Sequence, residues 1–474
     1  MRPSGGGGIR SGRRLALALV AAAGGIAVAL LRRRRAPAPA RSRVPTPAPA
    51  PPAPAPPAAP AAAAPTPPPP PPERHRAETI ALALAALVVA VAAVLAAMRL
   101  WDTSVPAGLV LPHVDLDRQF PARALHRAET FEAFVRWSSL ASKVVLVAVL
   151  AVYASKGTRF IRESAAGPIG TGFLLGMLGL AILWIVRLPF GVVDLWWARR
   201  HDVIDVGYLE WLVSDFFGLG GQFLYLCLAL LVAMGLARRL RRSWWLPAAA
   251  VFTALFAAFA FTSPYLVPGL RTPKGDKLRA EASHIARDEG LGDVPLRVED
   301  VHDWTDQPNA YATGLGSSRR VVLWDTIVGF PRREVRVVVA HEYGHLARDH
   351  IAKQIGWFAL LILPTTLIVA VVTRRRGGLG EPAAVPLALL VVVVLTLLAS
   401  PLQAAASRRY EAEADWTALR TTRDPAAMRA LFVRFTEKAL ADPDPPGWYQ
   451  ALFEDHPAGA ERVAMARAWA KRAR

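Results

Sequence analysis

The clearest chemical signal in the chain is His341-Glu342-Tyr343-Gly344-His345. On a helix, residues four apart lie one above the other on the same face. That spacing lets two imidazoles reach one zinc ion at roughly 2.0–2.1 Å. A glutamate between them can approach a metal-bound water and take its proton. Gly344 is a costly residue inside a helix, which points to a close approach by another backbone or a substrate. The preceding run, Val335-Arg336-Val337-Val338-Val339-Ala340, makes this helix largely buried. Polar groups on a buried helix need partners, and a metal ion would supply them. The plainer alternative is a pair of solvated histidines on an amphipathic helix.

A catalytic zinc usually takes three protein ligands and keeps one position open. The third must come from elsewhere in the chain. In Tyr410-Glu411-Ala412-Glu413-Ala414-Asp415, Glu411 and Asp415 share a helical face, and the two alanines permit close helix packing. Glu411 is the expected third ligand. Asp415 is the expected carboxylate that orients a ligand histidine. Glu413 is expected to point away into solvent.

These residues need elements to position them. The chain has 474 residues, is 53% hydrophobic and carries a formal net charge of +19. Its apolar residues fall in runs close to the roughly 20 needed to cross a bilayer. Expected spans are Thr79–Met98, Ser139–Ala154 (the shortest), Pro168–Val186, Gly218–Leu236, Trp244–Pro264, Gly356–Thr373 and Val385–Leu402. The fold class is therefore mainly α, a polytopic membrane protein of about seven transmembrane helices with a small α+β domain. Arginine clusters at 32–35, 238–242 and 374–376 flank the runs and read as topology and headgroup signals rather than a nucleic-acid surface. Cys227 stands alone, so neither an internal disulfide nor a cysteine metal site can form. Arg187 and Asp215, near span ends, are expected at the membrane interface, the alternative being a water-accessible interior of the helical bundle.

Residues 1–35 are a basic start with an apolar stretch, Leu15–Leu31, read as an anchor rather than a cleaved signal. Residues 36–77 form an extended Pro/Ala-rich linker. A five-helix membrane region (78–270) precedes a polar region (271–355). Two further helices (356–402) lead to a second polar region (403–474). Because two spans separate them, both polar regions lie on one side of the membrane and can fold together. Within the first, Lys277–Glu289 has helical spacing. Ala310–Leu315 and Arg320–Ile327 read as a hairpin. A helix is expected from Arg332 to His350 after Pro331.

Several stretches in order and spacing resemble the integral-membrane zinc endopeptidases that include the type I CAAX prenyl proteases and bacterial heat-shock membrane metalloproteases. They are Leu188-Pro189-Phe190 with Trp211 and Asp215, Asn309–Gly314, Arg320–Thr326, His341–His345, Glu411–Asp415, and His456-Pro457 with Arg462. The resemblance covers roughly residues 79–470. It implies a helical membrane chamber closed by a zincin-like domain. It implies one zinc per chain on His341, His345 and Glu411, with Glu342 as base. It implies a substrate-pairing strand with Asn309, Ala310, Tyr311 and Gly314, and places His456 and Arg462 near the scissile carbonyl.

The expected activity is hydrolysis of peptide bonds in membrane-associated proteins or peptides. The arginine- and alanine-rich composition looks bacterial, which argues against carrying over prenylated substrates. The partners are such substrates and the lipid bilayer, with no nucleic acid. A silent membrane scaffold or a transporter is the alternative, against which stand the intact ligand set and the lack of internal repeats. The location is the cell membrane. The resemblance implies a cytoplasmic catalytic domain, whereas the arginines on the opposite face weigh the other way.

Overall fold

The computed structural model describes residues 72–160 and 167–473. The expected anchor at Leu15–Leu31 and almost all of the Pro/Ala linker lie outside them. The chain divides into compact units of residues 1–92 and 93–474, and the site belongs to the second.

Long helices dominate, because hydrocarbon offers no partner for backbone N–H and C=O and a helix satisfies them internally. They are α1 (Pro72–Trp101), α2 (Ala122–Lys156), α3 (Gly167–Arg200), α4 (Tyr208–Leu240) and α5 (Trp245–Leu266). The first polar region follows with α6 (Asp276–Asp288), β1 (Leu296–Glu299), β2 (Ala310–Thr313), β3 (Arg320–Trp324) and α7 (Arg332–Ala347). Then come α8 (His350–Thr373) and α9 (Val385–Thr422), and finally α10 (Pro425–Lys438), α11 (Gly447–Phe453) and α12 (Gly459–Arg472). Among the described residues, α2, α3, α5, α8 and α9 are long and apolar enough to cross a membrane. The expected spans at Thr79–Met98 and Gly218–Leu236 fall in α1 and α4, whose side chains are described only in part.

Three expectations change. The second span is not a short helix but the middle of α2, a helix of 35 residues. Leu125, in the first turns of α2, joins the core of the polar domain, so this helix links the membrane region to that domain. The helix from Arg332 stops at Ala347, because Asp349 takes a left-handed backbone conformation (φ 53°) and His350 opens α8 instead. The last span and the acidic segment are one continuous helix, α9, of 38 residues, about 57 Å long at 1.5 Å per residue. Glu411 is therefore carried on the rigid extension of a membrane helix.

The three strands form one sheet in the order β1-β3-β2. β2 and β3 pair antiparallel, with Ala310 opposite Leu323 and Ala312 opposite Val321. β1 pairs with β3 in parallel, Leu296 opposite Val321. β1 is only four residues long, too short to stand out in sequence. The β2–β3 turn requires glycine at Gly314. Its φ is +92°, and a Cβ there would stand 2.3 Å from the Ser318 carbonyl oxygen.

Val337, Tyr343 and Leu346 of α7 pack with Leu323 of β3, Leu419 of α9, Phe432 of α10 and Val463 of α12. Each such side chain contributes roughly 1.5–3 kcal/mol by leaving water. The buried Tyr343 hydroxyl donates to the Val294 carbonyl at 2.9 Å, satisfying its polar tip. The contact that matters most for the site is α7 against α9. A Cβ on Gly344 would meet Thr417 Cβ at 3.3 Å and Ala414 Cα at 3.4 Å. Gly344→Val should force the helices apart, lowering both bound metal per chain and Tm. Gly344→Ala should be much milder. Equal metal content in Gly344→Val and the parent protein, by elemental analysis, would contradict this role.

Candidate metal centre

α7 supplies His341 and His345, and α9 supplies Glu411. One ligand-capable atom from each lies within 4.8 Å of the other two. The two Nε2 atoms are 3.0 Å apart. His341 Nε2 is 3.2 Å from Glu411 Oε2, and His345 Nε2 is 3.4 Å from Glu411 Oε1. Glu411 Oε2 is nevertheless buried without a hydrogen bond. A buried carboxylate oxygen left without a donor costs about 1–3 kcal/mol or more. A cation among the three groups removes that cost. Two imidazole nitrogens and one carboxylate oxygen are a donor set that suits zinc.

Each histidine is held from behind. His341 Nδ1 lies 2.9 Å from Asp415 Oδ1. Asp415 in turn accepts from Arg462, Nε to Oδ2 at 2.7 Å and Nη2 to Oδ1 at 2.6 Å. A carboxylate on Nδ1 fixes that proton there and leaves Nε2 free for a metal. Burial pulls the His341 pKa down, but Asp415 and Glu411 outweigh it and hold the pKa at about 10.

The second support was not legible in the sequence. His345 Nδ1 lies 2.9 Å from His350 Nδ1, and His350 Nε2 lies 3.0 Å from Glu413 Oε2. Glu413 also accepts from the Ser104 backbone N–H and from Lys353. The expectation that Glu413 is solvated is thus corrected: its residue exposure is 2%. Helical spacing does turn it away from Glu411, but that side of α9 faces α8 and the chain around Ser104, not water. His350 also stacks on Tyr410, with centroids 4.7 Å apart. The available signal was a histidine five residues after the expected ligand His345, at the start of an apolar run.

Glu342 is buried and lines a cleft of about 290 Å³ together with His341, Asn309, Ala310, His456 and Arg462. Membrane helix α2 reaches the same cleft through Glu132. His456 stands at the mouth, its side chain 54% exposed, with Nε2 3.5 Å from Glu411 Oε2 and Nδ1 2.7 Å from Asp455. Burial lowers its pKa, but Asp455 and Glu411 raise it further than that. Arg462 lines the cleft, yet its guanidinium is committed to Asp415. Tyr311 points to the other face of the sheet, where its hydroxyl donates to Glu299 at 3.0 Å. Gly314 serves the turn. Asn309 and Ala310 are the members of the expected substrate strand that reach the cleft wall. Among the described residues no strand pairs with the outer edge of β2.

Arg187 and Asp215, expected at the membrane interface, line a cavity between α2, α3 and α4. Asp215 accepts from Trp184 Nε1 at 2.8 Å.

Residues 274–470 match the sequence profile of Peptidase family M48. Over 314 residues the chain is 24% identical to a Bacillus subtilis (strain 168) protein described as an uncharacterized metalloprotease, YhfN. That match spans 63% of this chain and 72% of the relative. The fold is similar to the crystal structure of S. mikatae Ste24p, with a TM-score of 0.57 and 18% identity over 78% of this chain and 93% of that one.

Two outcomes are expected of the centre. Metal binding must displace the proton that Asp415 and Glu411 favour on His341. Apparent affinity should therefore rise with pH between 6 and 9, by about tenfold per unit for one proton released. Chelator competition measures this, and a flat profile would contradict it. His350→Ala should weaken metal affinity by about 10–100-fold, the usual effect of removing a group that orients a ligand. Unchanged affinity would show that His345 needs no such support.

Proposed function

We propose that the chain, whose residues 274–470 match peptidase family M48 and whose fold is similar to that of Ste24p, is a multi-pass membrane, zinc-dependent endopeptidase acting on membrane-associated proteins or peptides. The observation that carries this reading is the convergence of His341, His345 and a buried Glu411 oxygen without a hydrogen bond beside Glu342, in a cleft bordered by a free strand edge.

The edge of β2 offers main-chain N–H and C=O groups to an extended peptide, which holds a substrate without reading its side chains. Asn309 and Ala310 would lay that peptide along the cleft towards Glu342. Zinc on His341, His345 and Glu411 would supply a Lewis acid and lower the pKa of water towards about 7. Glu342 takes the proton from the attacking water and later gives it to the leaving amine. His456, exposed at the mouth and biased towards its protonated form, offers a hydrogen bond to the developing oxyanion. Arg462 acts one step removed, holding Asp415 and through it His341.

The architecture supports a membrane-associated substrate. α2 runs from the cleft into the membrane region, so a chain leaving the bilayer along it meets Glu132 and then the catalytic groups. Prenylated substrates are not part of this proposal. We further propose a cytoplasmic catalytic domain, as the family resemblance implies, which reporter fusions after Arg376 and Arg474 would test.

Glu342→Gln should keep its metal and its Tm while losing about 10³-fold or more in cleavage of casein or a peptide, within the usual range for general acid–base groups. Cleavage at the parent rate would rule out Glu342 as the base.

A further inference from the structure

A second site lies at the end of the helical bundle remote from the metal centre. α8 and α9 carry His350 and Glu411 near one end, and their other ends are joined by residues 374–384. The 24 residues of α8 separate the two ends by about 36 Å. At the remote end, a cavity of about 480 Å³ is lined by Arg238, Arg241, Arg242, Arg374 and a single carboxylate, Glu381.

The charges there are unbalanced. Glu381 lies 3.9 Å from Arg238, which also donates to the Gly380 carbonyl at 3.4 Å. No hydrogen bond or ion pair among the described residues engages the guanidinium groups of Arg241, Arg242 or Arg374. Three free cations face one pocket. Arginines placed only as topology signals need no shared cavity.

Directly beneath lies an apolar cavity of about 410 Å³ between α3, α4, α5, α8 and α9. Trp244 and Leu379, both buried, line the two cavities together. The lower cavity follows α9 from Val385 to Gln403, 18 residues on and about 27 Å. That is ample for an acyl chain, which spans about half of the roughly 30 Å hydrocarbon core. Its threonines are already satisfied. Thr365 and Thr396 donate to their own helices, and Thr366 donates to the Trp245 carbonyl. The wall therefore asks for an apolar occupant, and the cap asks for an anion. Trp244 at the junction is the residue type enriched at headgroup depth.

We propose that this composite cavity binds one anionic phospholipid, its phosphate among Arg241, Arg242 and Arg374 and one acyl chain in the apolar cavity below. Basic pockets between membrane helices are a recurring means of headgroup recognition. The apolar part gives little preference, since lipid tails are equally at home in the bilayer. Selectivity must come from the arginines.

The test uses the full-length protein, delipidated in detergent. Native mass spectrometry follows titration with palmitoyl-oleoyl phosphatidylglycerol, with phosphatidylcholine of the same chains, and with inorganic phosphate. One phosphatidylglycerol should bind at least tenfold more tightly than phosphatidylcholine, and inorganic phosphate should not compete at equal concentration. The triple variant Arg241→Gln, Arg242→Gln, Arg374→Gln should lose that preference while still cleaving peptide. The pair Arg199→Gln, Arg200→Gln, on the catalytic side, should retain it. Ala399→Phe, or the milder Ala399→Leu, should weaken both lipids alike. Equal binding of the two lipids would overturn the proposal. So would a preference that survives the triple variant, or effective competition by inorganic phosphate. None of these outcomes bears on Glu342, so the site stands or falls apart from the protease reading.

Discussion

The site depends on how closely α7 approaches α9. With no side chain at Gly344, α7 settles against Ala414 and Thr417, and two histidines from one helix meet a glutamate from the other. The two helices are separated in sequence by an excursion across the bundle, out along α8 and back along α9. α9 carries Glu411 on the extension of a membrane span, so the position of the carboxylate is tied to packing within the bundle and not to a mobile loop.

Around this contact the structure builds two supports of different chemistry. His341 is backed by a carboxylate that is itself clamped by an arginine. His345 is backed by a second imidazole, and behind it by Glu413 with a lysine and a backbone N–H. Both hold an Nδ1 and leave the Nε2 atoms facing Glu411. Buried charges of this kind are costly unless paired; the charged members of both supports are hydrogen-bonded, whereas Glu411 Oε2 has only ion-pair contacts with His341 and His456 and no hydrogen bond. The imbalance is local, and a divalent cation held by His341, His345 and Glu411 would resolve it.

Much of the centre was readable because it obeys helical spacing. His341 and His345 are four apart, as are Glu411 and Asp415, and the even number of intervening spans put both segments on one side. Spacing could not show what lies behind a helix. Glu413 faces away from Glu411 as its position requires, but only the fold brings Ser104 and α8 there to bury it. His350 was hidden by the break at Asp349, since nothing in the side chains of that stretch forbids a continued helix. β1 was too short to signal itself. The length of α2 was masked because its first half is amphipathic and packs on the polar domain. Tyr311 shows a further limit: a sequence pattern places residues on a strand but does not tell which side chains meet the cleft.

The most direct test of the central claim is X-ray absorption spectroscopy at the zinc edge on the purified full-length protein. The account predicts one zinc per chain, with two imidazole nitrogens at about 2.0–2.1 Å and carboxylate oxygen at about 2.0–2.2 Å, and loss of the oxygen contribution from the protein in Glu411→Ala. A spectrum without a pair of imidazoles, or one unchanged by Glu411→Ala, would contradict it.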